Sequence, residues 1–287
     1  DGFYLVALDD RQQAFFVGIR STAYRIANVV GRGLLVMLAG GIESASGDVP
    51  TAWRWVYLTL AVCFLVMTGY HAVVLPRPAA DRRHTGPIVS FAALGQPVVS
   101  FFQKPGIGRM LAFLLLYRLA EAQLVSLVSP FLLDDRSRGG LGLTTTEVGF
   151  VYGTLGIGML SLGGILGGIL VARDGLGRWL WPMAVAINLP NLAYVWLAAV
   201  QPENLWAVSA AVAVEQFGYG FGFTAYMVYC MVIARGSHQT VHYALCTGFM
   251  AAGMMLPSMV SGWLQELLGY PAFFGWVMLA AIPALLA

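Results

Sequence analysis

From Leu205 to Ala234 the chain carries one charge, Glu215, in the middle of a run long enough to cross a bilayer. A spanning helix needs about 20 mostly apolar residues. Lipid offers the backbone no hydrogen-bonding partner, so only a helix or a closed barrel can supply every one internally. The pattern recurs along the chain. Candidate spans fall at 14–41, 52–75, 107–133, 146–172, 178–200, 204–234, 240–265 and 271–287, after a partial one at 1–8. Apolar residues make up 59% of the chain and charged residues 10%, against about 25% charged in a soluble domain. A soluble core of this length could not hide so much apolar surface. The expectation is an all-α membrane protein in contact with the lipid bilayer. The formal net charge of +2 points to no nucleic-acid partner.

The connectors are short and carry most of the charge. The richer set of basic connectors holds Arg11; Arg77, Arg82, Arg83, Lys104 and Arg109; Arg173 and Arg178; and Arg235. By the positive-inside rule this set is cytoplasmic, and "DDRSRGG" at 134–140 faces outward. The stretch from Arg77 to Gly108 is the longest break. Its middle, "IVSFAALGQPVVSFFQ", is too short and too broken by Gly and Pro to span, and reads as interfacial. Three parts are therefore expected: 1–76 as the end of one helix bundle, 77–106 as a cytoplasmic loop, and 107–287 as a second bundle of six helices with the last one cut short. The first residue is Asp1 and the last residues are still apolar, so a piece of a longer protein is expected. The helix count matches a twelve-helix, 6+6 transporter arrangement running from helix 4 to helix 12.

An ionisable residue at bilayer depth costs at least about 2.5 kcal/mol, so it needs a partner, a wet cavity or a task. Three constellations qualify. Glu215, Gln216, Tyr219 and Tyr226 share the apolar run at 205–234, with Glu215, Tyr219 and Tyr226 near one helix face. Glycines 218, 220 and 222 between them would loosen the helix or let a partner or ligand approach. The functional reading is a titrating carboxylate beside aromatic rings; the structural one is a Glu paired only to fix packing. In "YRLAEAQ", Tyr117 to Gln123, Arg118 and Glu121 are three apart and can pair in mid-span, as an anion site with a proton acceptor or as a self-neutralising pair. In "STAYRIANVVGR", Tyr24, Arg25, Asn28 and Arg32 share a face and suit an anionic ligand, or Arg25 pairs with Asp1. Arg20 reads as a positive-inside anchor. Asn188 and Asn191 flank Pro190 and are expected to satisfy the backbone it frees. Small residues four apart, Gly163 with Gly167 and Gly164 with Gly168, favour close helix packing in lipid. Cys63, Cys230 and Cys246 form no metal pattern and read as small core residues. No nucleophile, base or metal cluster suggests an enzyme, so no catalytic residue, metal or cofactor is expected.

The segments "DGFYLVALDDRQQAFFVGIRSTAYRIA", "LLYRLAEAQLVSLVSPFLL", "VGFVYGTLGIGMLSLGGILGG" and "AVEQFGYGFGFTAYM" resemble the AmpG-like muropeptide permeases of the major facilitator superfamily, which are related to acetyl-CoA transporters. The resemblance implies proton-driven import of anhydro-muropeptides across a bacterial inner membrane, by a protein expected to be a monomer. The proton gradient would be the only driving force. It marks Glu215, Glu121 and Asp1 as proton-coupling candidates. Tyr24, Arg25, Asn28, Tyr117, Arg118, Gln123, Gln216, Tyr219 and Tyr226 become substrate-binding candidates for an anionic sugar-peptide. Departures from the family pattern at Tyr152, Gly153, His242 and Arg32 leave another organic anion, a sugar, an acyl-CoA-like solute or a transporter-like sensor open.

Overall fold

The computed structural model describes residues 5, 7–29, 35–75 and 91–286, and all its regular structure is helical. Asp1 and Arg32 lie outside the described residues, as do the side chains of Arg25 and Asn28. The helices are α1 (Asp10–Val29), α2 (Leu35–Ser46), α3 (Val49–Val74), α4 (Phe91–Phe102), α5 (Ile107–Leu133), α6 (Thr145–Asp174), α7 (Leu176–Val200), α8 (Leu205–Ala234) and α9 (Gln239–Leu286). The expected run at 14–41 appears as α1 and α2, with 30–34 undescribed. Among the described residues, six helices, α3 and α5 to α9, are long and apolar enough to cross a membrane. The last contains two of the expected spans. Gly269, at φ 71°, breaks it in front of Pro271, a backbone conformation that glycine adopts without penalty.

Polar connectors start the helices by accepting from their unpaired first-turn amides. The Asp9 carboxylate accepts from the Gln12 amide at 2.8 Å, while Gln12 Oε1 accepts from the Asp9 amide at 3.1 Å, a reciprocal box. Thr144 and Glu147 do the same for α6. Asp48 caps α3 and Asn204 caps α8.

The chain divides into two compact units, one of Ser21–Thr85 and one of Asp1–Arg20 with Gly86–Ala287. In the smaller unit α2 packs on α3. Only Ala52 and Val56 of α3 are buried. Apart from the half-buried Leu60, its remaining apolar side chains, Cys63 among them, are exposed, so Cys63 is not the core residue its surroundings suggested. Cys230 and Cys246 are buried.

In the larger unit the most extensive helix pair is α6 with α8. Its seam is made of glycine. A side chain at Gly163 would meet the Phe217 carbonyl, and one at Gly220 the Leu160 carbonyl. The Thr224 hydroxyl donates across the seam to Gly164 O at 3.2 Å. Gly218 and Gly222 face the other way, onto Ala186 and Met183 of α7. The glycines of α8 thus admit two neighbouring helices rather than loosen their own, which stays helical throughout. Helix α4, expected as interfacial, packs against α9: Phe101 is fully buried and Ser100 meets His242 at 3.0 Å. Lys104 closes the end of α8 by donating to Arg235 O at 2.7 Å and to Ile233 O. Partial burial there lowers its ammonium below the ordinary lysine range.

The core consists of two apolar clusters. One gathers Phe113 to Tyr117, Met183 to Ile187 and Phe221 to Ala234; the other gathers Ala120 to Leu132, Tyr194 to Ala198, Val208 and Val212. Between these two sets in the sequence fall the buried Arg118 on α5, Asn188 and Asn191 on α7, and Glu215 and Gln216 on α8.

Candidate functional site

Three spans lose α-helical regularity around this polar layer. Helix α5 is interrupted at Tyr117 and Arg118, where Arg118 sits at φ −107°, ψ 13°. Helix α6 is a π-helix over Gly149–Gly156. Helix α7 tightens to a 3-10 turn over Leu189–Asn191 at Pro190. Such irregular backbone is tolerated at membrane depth only where protein or a wet cavity surrounds it. π-bulges and broken spans recur at functional sites.

The break in α5 turns Arg118 toward Glu121, three residues on. The guanidinium grips the carboxylate with two hydrogen bonds, Nε to Oε2 at 2.7 Å and Nη2 to Oε1 at 3.1 Å. The pair is almost wholly buried. The Nη2 group also donates to the Tyr219 hydroxyl at 2.7 Å. The guanidinium carbon lies 4.7 Å from the Phe223 ring centre and 5.5 Å from that of Tyr219, within cation–π range. Arg118 is therefore held by a carboxylate, a hydroxyl and two aromatic rings, and its flat guanidinium meets the carboxylate with two donors at once where a lysine ammonium is a point charge.

One helical turn before Tyr219, Glu215 is 2% exposed. Its Oε2 accepts from the Tyr194 hydroxyl at 3.2 Å and from the Gln216 amide at 3.0 Å. Tyr152, on the π-helical stretch, lies beside Gln216 and Glu215. Four spans thus converge: α5 supplies Arg118 and Glu121, α6 Tyr152, α7 Tyr194, and α8 Glu215, Gln216, Tyr219 and Phe223. Arg118, Glu121 and Glu215 are legible in the sequence through their charge, and Gln216 and Tyr219 through their place beside Glu215. Sequence reading did not reach every member. It missed Tyr194 and Phe223, which look like ordinary core aromatics. Tyr152 stood out only as a departure from the family pattern.

Other expected residues are placed differently. The hydroxyls of the fully buried Tyr117 and Tyr226 tie α5 and α8 together, donating to Gly222 O at 3.0 Å and Leu114 O at 2.7 Å. Gln123 bonds Leu119 O and accepts from the Trp276 indole at 2.9 Å. Tyr24 belongs to the smaller unit and is 71% exposed. Arg20, expected as a surface anchor, is half-buried and donates to the Tyr243 hydroxyl at 3.2 Å. Asn188 caps Ala184 O at 2.9 Å, whereas the carbonyl that Pro190 leaves without its usual i+4 donor is that of Ala186, and Gly218 packs against it. Asn191 is buried with its amide unpaired among the described residues. No group of three potential metal ligands occurs among the described residues.

No family model matches the chain. Comparison with curated proteins is more informative. The chain is 28% identical over 261 residues to the Anhydromuropeptide permease of Escherichia coli K12, covering 90% of this chain and 51% of the permease. It is 24% identical over 287 residues to the Rickettsia felis protein named "Putative transporter AmpG 4", covering 99% of this chain and 66% of that one. The chain is AmpG-like. A Haemophilus influenzae relative of no stated function, 24% identical, matches along the whole chain. The AmpG-like chain spans about half the length of the Escherichia coli permease it matches. With its apolar helices, it is a multi-pass integral membrane protein.

Proposed function

We propose that this chain is the helix 4 to helix 12 portion of a major-facilitator-type permease. It imports anhydro-muropeptides across the bacterial inner membrane by alternating access, driven by a proton gradient. The observation that carries the reading is the buried network of Arg118, Glu121, Tyr219 and Glu215, set where three spanning helices become irregular. Transport fits this network better than catalysis, since it holds carboxyl groups, a guanidinium and aromatic faces but no activated nucleophile.

In this reading Arg118 is the ligand's anchor. A sugar-peptide carboxylate entering the layer would compete with Glu121 for the two donors of the guanidinium. Displaced from its partner in a low-dielectric layer, Glu121 would take up a proton. Ligand and proton would thus bind together, which is what symport needs. Glu215, bonded to a tyrosine and an amide, would supply the second titrating group, while Tyr219 and Phe223 offer ring faces to a sugar.

The test is uptake of labelled anhydro-muropeptide by the full-length protein in proteoliposomes, with and without an inward proton gradient. Gradient-dependent accumulation is expected, with loss of accumulation in Glu215→Gln while insertion is intact. Concentrative uptake by Glu215→Gln at the wild-type rate would remove Glu215 from the coupling. No accumulation by correctly inserted wild-type protein would sink the muropeptide assignment.

A further inference from the structure

We propose that the seam between α1 and α6 in the larger unit binds an anionic phospholipid, at the end of the bundle assigned to the cytoplasm. Glycine builds this seam. Gly18 touches the backbone of Gly164, and Gly168 lies against the carbonyls of Ala14 and Phe15. Backbones this close leave the flanking side chains standing on either side of a furrow. The result is an open groove of about 450 Å³, whose walls include Phe15, Phe16, Ile169 and Ala172. Its surface is nearly all apolar, and Phe15 and Ile169 are about two-fifths exposed.

The two polar anchors sit at one end. Arg11 lies four residues before Phe15 on α1, and Arg173 four residues after Ile169 on α6. Each arginine is therefore one helical turn, about 5–6 Å, outside the apolar residue on its own face. The helices run in opposite directions through the membrane, so both arginines reach the same rim. That arrangement has the amphiphilic profile of a phospholipid, with a phosphate level above an acyl level.

A second cavity of about 390 Å³ shares Arg11, Ala172 and Arg173 with the groove and adds Asp10, Asp174 and Arg235. The charges there explain why the headgroup should be anionic. Arg235 pairs with Asp10 at 2.6 Å, and Arg173 with Asp174 at 2.9 Å. Asp174 also accepts from the Trp179 indole at 2.9 Å. Both carboxylates are thus already engaged with arginines, leaving little for a headgroup ammonium. Arg11 makes no ion pair among the described residues. Three guanidiniums against two carboxylates leave one positive charge at the rim, matching one phosphodiester. Basic pockets between spanning helices on the cytoplasmic side suit such headgroups.

The experiment is native mass spectrometry of the delipidated full-length protein, titrated with dioleoyl phosphatidylglycerol or dioleoyl phosphatidylcholine. Wild type should retain phosphatidylglycerol about fivefold more strongly for each arginine in contact. Arg11→Gln should lose about that factor, and Arg11→Gln with Arg173→Gln most of the preference. Ile169→Trp, which fills the groove, should weaken both lipids alike. Equal retention of the two lipids by wild type would overturn the proposal. So would an unchanged preference in Arg11→Gln, the variant that disturbs no ion pair and is therefore expected to fold.

Discussion

Two arginine–carboxylate pairs in the larger unit have nearly the same length and almost nothing else in common. Arg118 meets Glu121 at 2.7 Å with side chains 7% and 1% exposed; Arg235 meets Asp10 at 2.6 Å with side chains 54% and 69% exposed. Distance alone would rank them equal. Burial separates them. An exposed pair exchanges one set of water contacts for another and is screened by salt, so it contributes about 0.2–1 kcal/mol. A buried pair has already given up its hydration, and removing one partner strands a charge, at about 3–5 kcal/mol. The first kind of pair can be remade cheaply, which suits a lipid-facing rim. The second commits the protein, and its presence in the polar layer is a reason to look there for function.

The sharpest way to break the comparison is Arg118→Ala. It should destabilise the protein by about 3–5 kcal/mol, because Glu121 is left buried. Thermal unfolding in detergent measures this, and uptake should be lost. Arg118→Met with Glu121→Leu should restore most of the stability, since apolar groups of similar size can replace a buried pair, yet uptake should remain lost. A double variant that transports normally would show that the pair only fills space. An Arg118→Ala variant as stable as wild type would show that water reaches the site.

How far the sequence reveals this layer depends on which signal is asked for. The charges of Arg118, Glu121 and Glu215 stand out because lipid makes every charge conspicuous, and their spacing already allows the α5 pair. The spans were legible as long apolar runs, and so was the boundary between the last two, where Gly269 and Pro271 fall. The π-helical turn at Tyr152 was not legible, because backbone irregularity without proline leaves no mark in composition. Nor were the partners across helices: that Tyr219 meets Arg118 while Tyr226 turns to Leu114 O depends on helix rotation, which the glycine seams decide. Those glycines were visible as a motif; the helix each would face was not.

The seam therefore gives the next prediction. Gly220→Ala would push a methyl group into the Leu160 carbonyl, and overpacking of this kind costs about 1–3 kcal/mol. It should also rotate α8 and weaken the Arg118–Tyr219 bond, lowering uptake even where the protein still inserts. Gly262→Ala, which meets nothing within 4 Å, is the matched control and should lose no stability. Equal effects at both positions would mean that helix propensity, rather than close approach, decides the packing.

The smallest expected effect lies at the rim. Asp10→Asn removes the partner of Arg235 without removing side-chain volume. Stability should fall by no more than about 1 kcal/mol at low salt, and by less at 1 M salt, where the Debye length shrinks to about 3 Å. Arg235→Gln should behave alike, and the double variant should be additive to within about 1 kcal/mol. A loss of 2 kcal/mol or more that persists in high salt would mean that this pair is enclosed in the working protein. It would then belong with Arg118 and Glu121, and burial in the larger unit alone would no longer be enough to tell a committed charge from an exchangeable one.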